Sequence, residues 1–187
     1  MKKNSMRHFD KKEIWSIPNI MGYFRVLLVP IFMTLYFNAD SDKDYYIVAG
    51  IVLLSTITDF LDGLVARRFN MITELGKFID PVADKITHAA LVICLARKYS
   101  LMIAVIVLMV VKEGYMAVMG MIKMKEGKKL DGAMWYGKVC TATLFVVMFV
   151  LILFPQIPIM LANGLIILCL GVMLFTLIMY IPVFHKL

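Results

Sequence analysis

The sequence has little of what a secreted, zinc-binding or nucleic-acid-binding protein would need. Its three cysteines, Cys94, Cys140 and Cys169, lie far apart inside apolar runs, so they form neither a zinc motif nor a disulfide framework. We interpret them as reduced packing residues. No RNA- or DNA-binding motif, internal repeat or low-complexity linker is present, and no early apolar segment precedes a small-residue cleavage site. We therefore expect no nucleic-acid partner, no removed signal peptide and a single domain.

Acidic residues are also scarce, with 13 Asp and Glu against 20 Lys and Arg in 187 residues, which gives a formal net charge of +7. At the same time 61% of the residues are hydrophobic, whereas roughly half is usual for a soluble domain. In so apolar a chain the excess positive charge is typical of cytoplasmic loops and of contact with anionic lipid headgroups. The composition therefore predicts an integral membrane protein in contact with membrane lipids.

Six apolar runs each approach the roughly 20 residues that a helix needs to cross a bilayer. The predicted spans are residues 18–38, 45–67, 76–96, 101–123, 135–154 and 158–181. We therefore predict an all-α fold in which residues 17–187 form one domain of six transmembrane helices. Residues 1–16 are polar and basic with interleaved apolar side chains, which predicts a short amphipathic helix on the membrane surface. A solvated, disordered tail is the alternative for that segment.

The charged connections between these runs predict the orientation in the membrane. The first connection is acidic, whereas Arg67 and Arg68 follow the second run and four lysines follow the fourth. The N-terminal segment is basic as well, and Arg97 and Lys98 are a mild exception after the third run. By the positive-inside rule, both termini and the connection after the second run lie on the cytoplasmic side of the cell membrane.

Four aspartates and an arginine interrupt the apolar runs between residues 59 and 84. Measured from Asp59, offsets of three, four, seven and eight residues lead to Asp62, Gly63, Ala66 and Arg67. Offsets of four and eight residues from Gly76 lead to Asp80 and Asp84. Each set shares one face of a helix, and the short connection between them allows the two acidic faces to oppose each other.

Such a cluster needs compensation inside a membrane. A charge at the bilayer centre costs at least ~2.5 kcal/mol on insertion scales, and neighbouring carboxylates raise one another's energy by repulsion. A divalent cation would relieve both effects, because carboxylate oxygens are the hard ligands that Mg²⁺, Mn²⁺ and Ca²⁺ take. An ion pathway and structural ion pairs are the alternatives that the helical spacing leaves open.

The spacing D-x2-D-G-x2-A-R-x8-G-x3-D-x3-D is matched at every fixed position of this stretch. It resembles the signature of the CDP-alcohol phosphatidyltransferases, integral membrane enzymes of phospholipid synthesis. The resemblance implies that Asp59, Asp62 and Asp80 coordinate two divalent metal ions, Mg²⁺ or Mn²⁺. It also implies that Asp84 is the general base and touches metal as well.

The same resemblance implies a binding site for the CDP part of a lipid substrate. Its residues are Asp62, Gly63, Ala66, Arg67 and Gly76. Small residues would let a nucleotide approach the helix backbone, and an arginine can grip a diphosphate bidentately. Close helix packing is the alternative explanation for the two glycines.

Four residues outside the signature are expected to bind the acceptor alcohol, namely Asn19, Arg25, Lys112 and Lys138. The opening of the first run resembles the I-P-N-x-L-T-x-x-R segment of phosphatidylglycerophosphate synthases within that family, with Gly22 in place of threonine. The fifth run opens with a similar W-x-G-K segment. An arginine this far inside an apolar run is expected to face a polar cavity or an acid; snorkelling is the alternative for Arg25 and Lys138.

The fourth run departs from the pattern of those synthases. Lys112 and Glu113 stand where Arg-Glu is common, and Gly120 stands where a second arginine is expected. A structural ion pair with a neighbouring helix is the alternative role for Lys112. His88 lies one turn after Asp84 and is more simply a hydrogen-bonded packing residue than part of the site.

The resemblance thus implies an enzyme that transfers a phosphatidyl group from CDP-diacylglycerol to sn-glycerol 3-phosphate and releases CMP. Phosphatidylglycerol as acceptor, which yields cardiolipin, is the alternative, and another alcohol is a more distant one. A metal or ion transporter using the same acids is the alternative outside enzymes. Members of the family are typically homodimers, so a homodimer is expected.

Overall fold

The structure is a computed structural model that describes residues 15–73, 75–128, 132 and 134–186. The predicted amphipathic helix at residues 1–16 lies outside this part, apart from its last two residues. The regular elements of the described residues are six α-helices, which confirms the all-α prediction. They are α1 (Ile17–Phe37), α2 (Asp42–Arg68), α3 (Gly76–Ala96), α4 (Met102–Lys125), α5 (Trp135–Leu153) and α6 (Ile159–Lys186).

Most helix ends fall within two residues of the predicted spans, and the two larger differences have local causes. Helix α2 begins three residues early because Asp44 stabilises its first turn. The Asp44 carboxylate accepts hydrogen bonds from the backbone N–H of Ser41 at 2.9 Å and from its hydroxyl at 2.8 Å, which is an N-terminal cap. Helix α6 continues through Pro182 to Lys186, and proline is tolerated inside membrane helices.

Five of the six helices are long and apolar enough to cross a membrane. The exception is α3, whose first ten residues contain Lys77, Asp80, Asp84 and Lys85. Large apolar side chains on the other helices are exposed, as with Val110 at 64% and Met160 at 84%. Such surfaces suit contact with lipid, since the helices satisfy their backbone groups internally.

The chain forms two compact units, Met1–Ala90 and Leu91–Leu187. In the first unit α1 packs against α2. The side chains of Phe32, Val48 and Val52 are completely buried there. The rings of Tyr36 and Tyr45 meet edge to face at 5.4 Å between centroids where the two helices are connected. The apolar core of this unit therefore holds α1 and α2 together toward their connection, and the charged residues Arg25, Asp59 and Asp62 lie further along the two helices, away from that connection.

In the second unit α6 packs against both α4 and α5. The rings of Tyr136 and Tyr180 lie 4.9 Å apart, and the Tyr180 hydroxyl accepts a hydrogen bond from the Met134 N–H at 3.3 Å. A Cβ atom at Gly137 would lie 2.5 Å from that hydroxyl oxygen, so only glycine allows this approach. These contacts fix the start of α5, where Lys138 is found.

Candidate active site

Arg25 on α1 is the residue around which the acidic side chains gather. Its guanidinium is almost fully buried, with 2% of the residue exposed. Nη1 contacts the Asp59 carboxylate and lies 3.7 Å from Oδ2 of Asp62, and Nη2 donates a hydrogen bond to Oδ1 of Asp84 at 2.5 Å. Of the two expected surroundings for Arg25, a polar cavity or an acid, the structure shows acids, and three of the four predicted metal-binding aspartates meet at this one cation.

The three carboxylates differ in their access to the surroundings. The side chains of Asp59 and Asp84 are 41% and 45% exposed, whereas that of Asp62 is 4% exposed. Within the described residues, Oδ2 of Asp62 is buried without a hydrogen-bond partner. A buried carboxylate oxygen without a donor is unfavourable, so this atom is suited to a further cation.

Asp80, the fourth aspartate, lies on α3 close to Gly22 of α1. A Cβ atom at position 22 would lie 3.8 Å from Oδ1 of Asp80 and 2.9 Å from Cγ2 of Ile79. The absent side chain therefore lets α1 approach α3 beside the acidic group. Sequence reasoning registered Gly22 only as the loss of a threonine, and the glycine inside an otherwise bulky apolar run was the signal for this close approach.

Asn19 and Gly76 meet at the start of α3. Asn19 is buried, its Oδ1 accepts a hydrogen bond from the Thr73 hydroxyl at 3.1 Å, and that hydroxyl accepts one from the Gly76 N–H at 2.9 Å. A Cβ atom at position 76 would lie 2.8 Å from Oδ1 of Asn19. Close packing, the alternative stated for Gly76, is therefore present, and its role in CDP binding stays a prediction.

Thr73 is a residue that sequence reasoning missed. Its hydroxyl accepts a hydrogen bond from the backbone N–H three residues later, which is the N-cap pattern, and a threonine ahead of the predicted helix was the available signal. Through Thr73, the start of α1 is tied to the start of α3, the helix that carries Asp80 and Asp84.

Gly63, Ala66 and Arg67 lie on the exposed last turns of α2. The Arg67 guanidinium folds back along its own helix, so that a Cβ atom at Gly63 would lie 3.5 Å from its Nη2. A side chain at position 63 would be in ordinary van der Waals contact with this exposed arginine, and both lie on the face that also carries Asp59 and Asp62. Binding of a nucleotide diphosphate by this face stays a prediction.

Lys112 and Lys138 belong to the second unit. Lys112 is buried, and its Nζ lies 3.0 Å from Oε1 of the adjacent Glu113. Lys112 is thus paired with a neighbour on its own helix, whereas the structural ion pair considered from the sequence was with a neighbouring helix. Lys138 is exposed at the start of α5. Around Gly120 a Cβ atom would meet no described atom within 4 Å. Binding of an acceptor by these lysines stays a prediction.

His88 contacts the backbone of the helix that carries it. Its Nδ1 lies 2.8 Å from the carbonyl oxygen of Asp84. This contact agrees with the hydrogen-bonded packing role that the sequence favoured for His88.

The acidic group is chemically suited to divalent metal. Its donors are carboxylate oxygens, the ligands that Mg²⁺ and Mn²⁺ prefer, and one buried oxygen of Asp62 has no hydrogen bond among the described residues. Within the same residues, no three Asp, Glu, His or Cys side chains are arranged as a ready metal site. The Arg25 guanidinium lies between the carboxylates, so metal binding requires these side chains to rearrange.

Comparison with known proteins adds an independent observation. A sequence model described as CDP-alcohol phosphatidyltransferase matches residues 15–183. This range contains α1 to α5, most of α6 and all of the acidic residues described above.

Curated relatives of this chain carry the name CDP-diacylglycerol–glycerol-3-phosphate 3-phosphatidyltransferase, and three of them show the extent of the similarity. The protein from Rickettsia bellii (strain RML369-C) is 36% identical over 84 residues, which cover 44% of this chain and 45% of the relative. The protein from Pseudomonas fluorescens is 37% identical over 84 residues, 45% of this chain and 43% of the relative. The Escherichia coli (strain K12) protein is 36% identical over 85 residues, 46% of each. The chain therefore spans less than half the length of these relatives.

Proposed function

Because the chain belongs to the CDP-alcohol phosphatidyltransferase family, we propose that it transfers a phosphatidyl group from CDP-diacylglycerol to the hydroxyl of sn-glycerol 3-phosphate and releases CMP. The observation that carries the proposal is the gathering of Asp59, Asp62 and Asp84 around Arg25 inside the matched segment. The names of the three relatives favour glycerol 3-phosphate as the acceptor.

In this proposal Asp59, Asp62 and Asp80 hold two Mg²⁺ or Mn²⁺ ions, with Asp84 as a further contact. When bound, such ions supply positive charge to the diphosphate and to the departing CMP. The buried Asp62 oxygen without a hydrogen bond supports this assignment. The more exposed carboxylates of Asp59 and Asp84 are the ones that substrate can reach.

Asp84 is proposed as the general base. Its carboxylate takes the proton of the acceptor hydroxyl, and the hydroxyl oxygen forms a bond to the phosphorus of the phosphatidyl group. The bond from that phosphorus to the oxygen shared with the cytidine phosphate breaks, and CMP leaves with that oxygen. The exposed fraction of Asp84 suits a base that must meet a water-soluble acceptor.

The CDP part is proposed to bind along the last turns of α2 and the start of α3. Asp62, Gly63, Ala66 and Gly76 line that region in the proposal, and Arg67 binds the diphosphate. An arginine suits this role because its planar fork donates two hydrogen bonds to phosphate oxygens. Arg67 is exposed beside a glycine, which supports its access to a ligand.

The acceptor is proposed to bind through cations outside the signature, Lys112 and Lys138, together with Arg25 and Asn19. Asn19 is buried against Thr73, so its contribution would be to hold α1 in place. Phosphatidylglycerol is the second candidate acceptor. Two features favour phosphatidylglycerol. A lysine, Lys112, stands where arginine is common, and the surroundings of Gly120 are open, and both features weaken the binding of a small dianionic phosphate.

The proposed setting is the cell membrane, with the acidic group on the cytoplasmic side and a homodimer as the assembled form. The orientation rests on the basic connections after α2 and α4. The homodimer rests on the family resemblance alone. Both statements are open to direct measurement of topology and of mass in detergent.

The proposal is tested with purified protein, labelled CDP-diacylglycerol and a panel of alcohols. We expect CMP release that depends on glycerol 3-phosphate, is abolished by EDTA and is restored by Mg²⁺ or Mn²⁺. Release that depends on phosphatidylglycerol instead would assign cardiolipin synthesis. Absence of CMP release with every alcohol would contradict a transferase and favour transport, and full activity in EDTA would contradict the metal assignment.

A further inference from the structure

Arg25 is placed as if it were a cation bound by the acidic group. Its Nη1 contacts Asp59 and lies 3.7 Å from the buried Oδ2 of Asp62, and its Nη2 lies 2.5 Å from Oδ1 of Asp84. These carboxylates are also the ones proposed to hold divalent metal. One carboxylate oxygen cannot bind a guanidinium and a metal ion at full strength at the same time.

We propose that Arg25 is a built-in counter-cation that competes with divalent metal ions for the carboxylates of Asp59, Asp62 and Asp84. This inference rests on the proposed function for the identity of the metal ligands. When a chelator removes metal, the guanidinium neutralises part of the negative charge of the three carboxylates. When metal binds, the carboxylates exchange the guanidinium for the ion. The exchange limits metal affinity, and it prevents the acidic group from being left without a positive partner inside an apolar unit.

Burial makes the exchange costly for the guanidinium, which is how Arg25 limits metal affinity. Arg25 is 2% exposed, so its charge has no access to bulk water to compensate for loss of its acidic partners. Its Nε and Nη1 are both buried without a hydrogen-bond partner among the described residues, and Nη1 is held by its ion pair with Asp59. The guanidinium is therefore held chiefly through its two Nη atoms, both of which lie against carboxylates. Such a group can move away from the acids without breaking a second set of hydrogen bonds at Nε.

If Arg25 competes with metal, removal of its guanidinium changes protein stability and metal affinity in opposite directions. Asp59, Asp62 and Asp84 lose their positive partner and repel one another, so the protein in EDTA becomes less stable. The same three carboxylates are then available to metal without displacement, so metal binds more tightly. A residue that merely positions the aspartates would weaken metal binding when removed, and one that merely fills space would leave it unchanged.

The experiment uses the full chain in detergent, with no nucleotide and no acceptor present. Arg25→Met removes the charge and keeps a long apolar stem. Free Mn²⁺ is measured by electron paramagnetic resonance during titration, and the melting temperature is recorded in EDTA and at saturating Mn²⁺. We expect Arg25→Met to melt lower than the parent protein in EDTA, to recover most of that loss with Mn²⁺, and to bind Mn²⁺ about tenfold more tightly.

Thr87→Val is the matched control. Thr87 is a buried residue of α3 whose hydroxyl donates a hydrogen bond to the Ala83 carbonyl at 2.9 Å. Its loss is expected to lower the melting temperature equally with and without Mn²⁺ and to leave Mn²⁺ affinity unchanged. If Arg25→Met does not fold, Arg25→Lys retains one charge without the fork and is expected to give Mn²⁺ affinity between the parent value and a tenfold gain.

Unchanged or weaker Mn²⁺ binding in the variants would overturn the inference. So would equal losses of melting temperature in EDTA and in Mn²⁺, or a parent protein that binds no Mn²⁺. Failure of the proposed function is seen separately, as absence of CMP release from CDP-diacylglycerol. If the protein exchanges Arg25 for Mn²⁺ but releases no CMP, the inference stands and the proposed function fails. If it releases CMP but shows no such exchange, the proposed function stands and the inference fails.

Discussion

Arg25 illustrates how one residue can combine a structural and a chemical task. The alternative that it snorkels to the membrane surface does not describe its position, because its side chain is 3% exposed and lies against three aspartates. The acids and the arginine are each unfavourable alone in an apolar unit and less so together. Substitutions in this group therefore need to be judged by what they leave unpaired as well as by what they remove.

Asp84→Asn tests the proposed base. The amide keeps the size of the carboxyl group and cannot take the acceptor proton, so turnover is expected to fall by about 10²–10⁴-fold. Binding of CDP-diacylglycerol is expected to survive in Asp84→Asn better than in Asp62→Asn, because Asp62 is also assigned to the CDP site. The measurement is turnover at saturating substrates together with equilibrium binding of labelled CDP-diacylglycerol. Normal turnover in Asp84→Asn would remove Asp84 from the chemistry.

Lys112→Ala and Lys138→Ala test the proposed acceptor site. Each removes a cation from a site that must hold a dianionic phosphate, so KM for glycerol 3-phosphate is expected to rise with little change in KM for CDP-diacylglycerol. A lysine binds phosphate as a point charge, so the parent protein is itself expected to have a high KM for this acceptor. Lys123→Ala serves as control, since Lys123 pairs with the exposed Glu126 at 3.1 Å. Unchanged use of glycerol 3-phosphate by both variants would assign these lysines a structural role.

The helices themselves were largely predictable, because their apolar runs are long and end at charged or polar connections. The end of α2, predicted at residue 67 and found at Arg68, and the whole of α3 follow from the run lengths. What the runs do not encode is contact between distant segments. The pairing of Asn19 with Thr73 spans 54 residues, and that of Met134 with Tyr180 spans 46. Neither is visible in a local pattern, so the packing reasons for Gly76 and Gly137 emerged only from the structure.

The acidic site was predictable in its members and not in its arrangement. Helical spacing placed Asp59 and Asp62 on one face and Asp80 and Asp84 on another, which is a property of the sequence. That Arg25 of α1 would lie against Asp59, Asp62 and Asp84 depends on how α1 packs, and a local pattern carries no such information. The sequence predicted a polar cavity or an acid around Arg25, and the choice between these and the identity of the three aspartates required the tertiary structure.

Gly76→Ala tests the packing at the start of α3. The new methyl group would lie 2.8 Å from Oδ1 of Asn19, so we expect a loss of about 1–3 kcal/mol in the free energy of unfolding from overpacking. Gly114→Ala is the matched control, because a Cβ atom there meets no described atom within 4 Å and α4 is expected to gain stability from alanine. Unfolding in mixed detergent with denaturant measures both.

The contact partner of Gly76 gives a second check on this packing. An Asn19→Ala background removes the closer contact and leaves the 3.0 Å approach to the Thr73 hydroxyl oxygen, so the cost of Gly76→Ala is expected to fall in part. An equal cost in both backgrounds would show that Asn19 is not the group that the methyl strikes.

For the whole molecule, labelling of introduced cysteines tests the predicted orientation. The three native cysteines are buried, so background labelling by a membrane-impermeant maleimide is expected to be low. Lys43→Cys, near the acidic connection between α1 and α2, is expected to react from outside intact cells. Lys128→Cys, in the basic connection after α4, is expected to react only after lysis. Equal reaction of both from one side would contradict the orientation.

The order in which the chain is made gives the Arg25 contacts a further meaning. Asp59 and Asp62, its partners on α2, are synthesised only after the whole of α1, so α1 leaves the ribosome before its charge can be neutralised. An unpaired arginine at the centre of a helix costs about 2.5–3.5 kcal/mol on insertion scales. We therefore expect α1 to enter the lipid poorly alone and readily once α2 has emerged beside it. The two helices would then enter as a hairpin, and the residues proposed for chemistry would also set the sequence of steps by which the membrane accepts the chain.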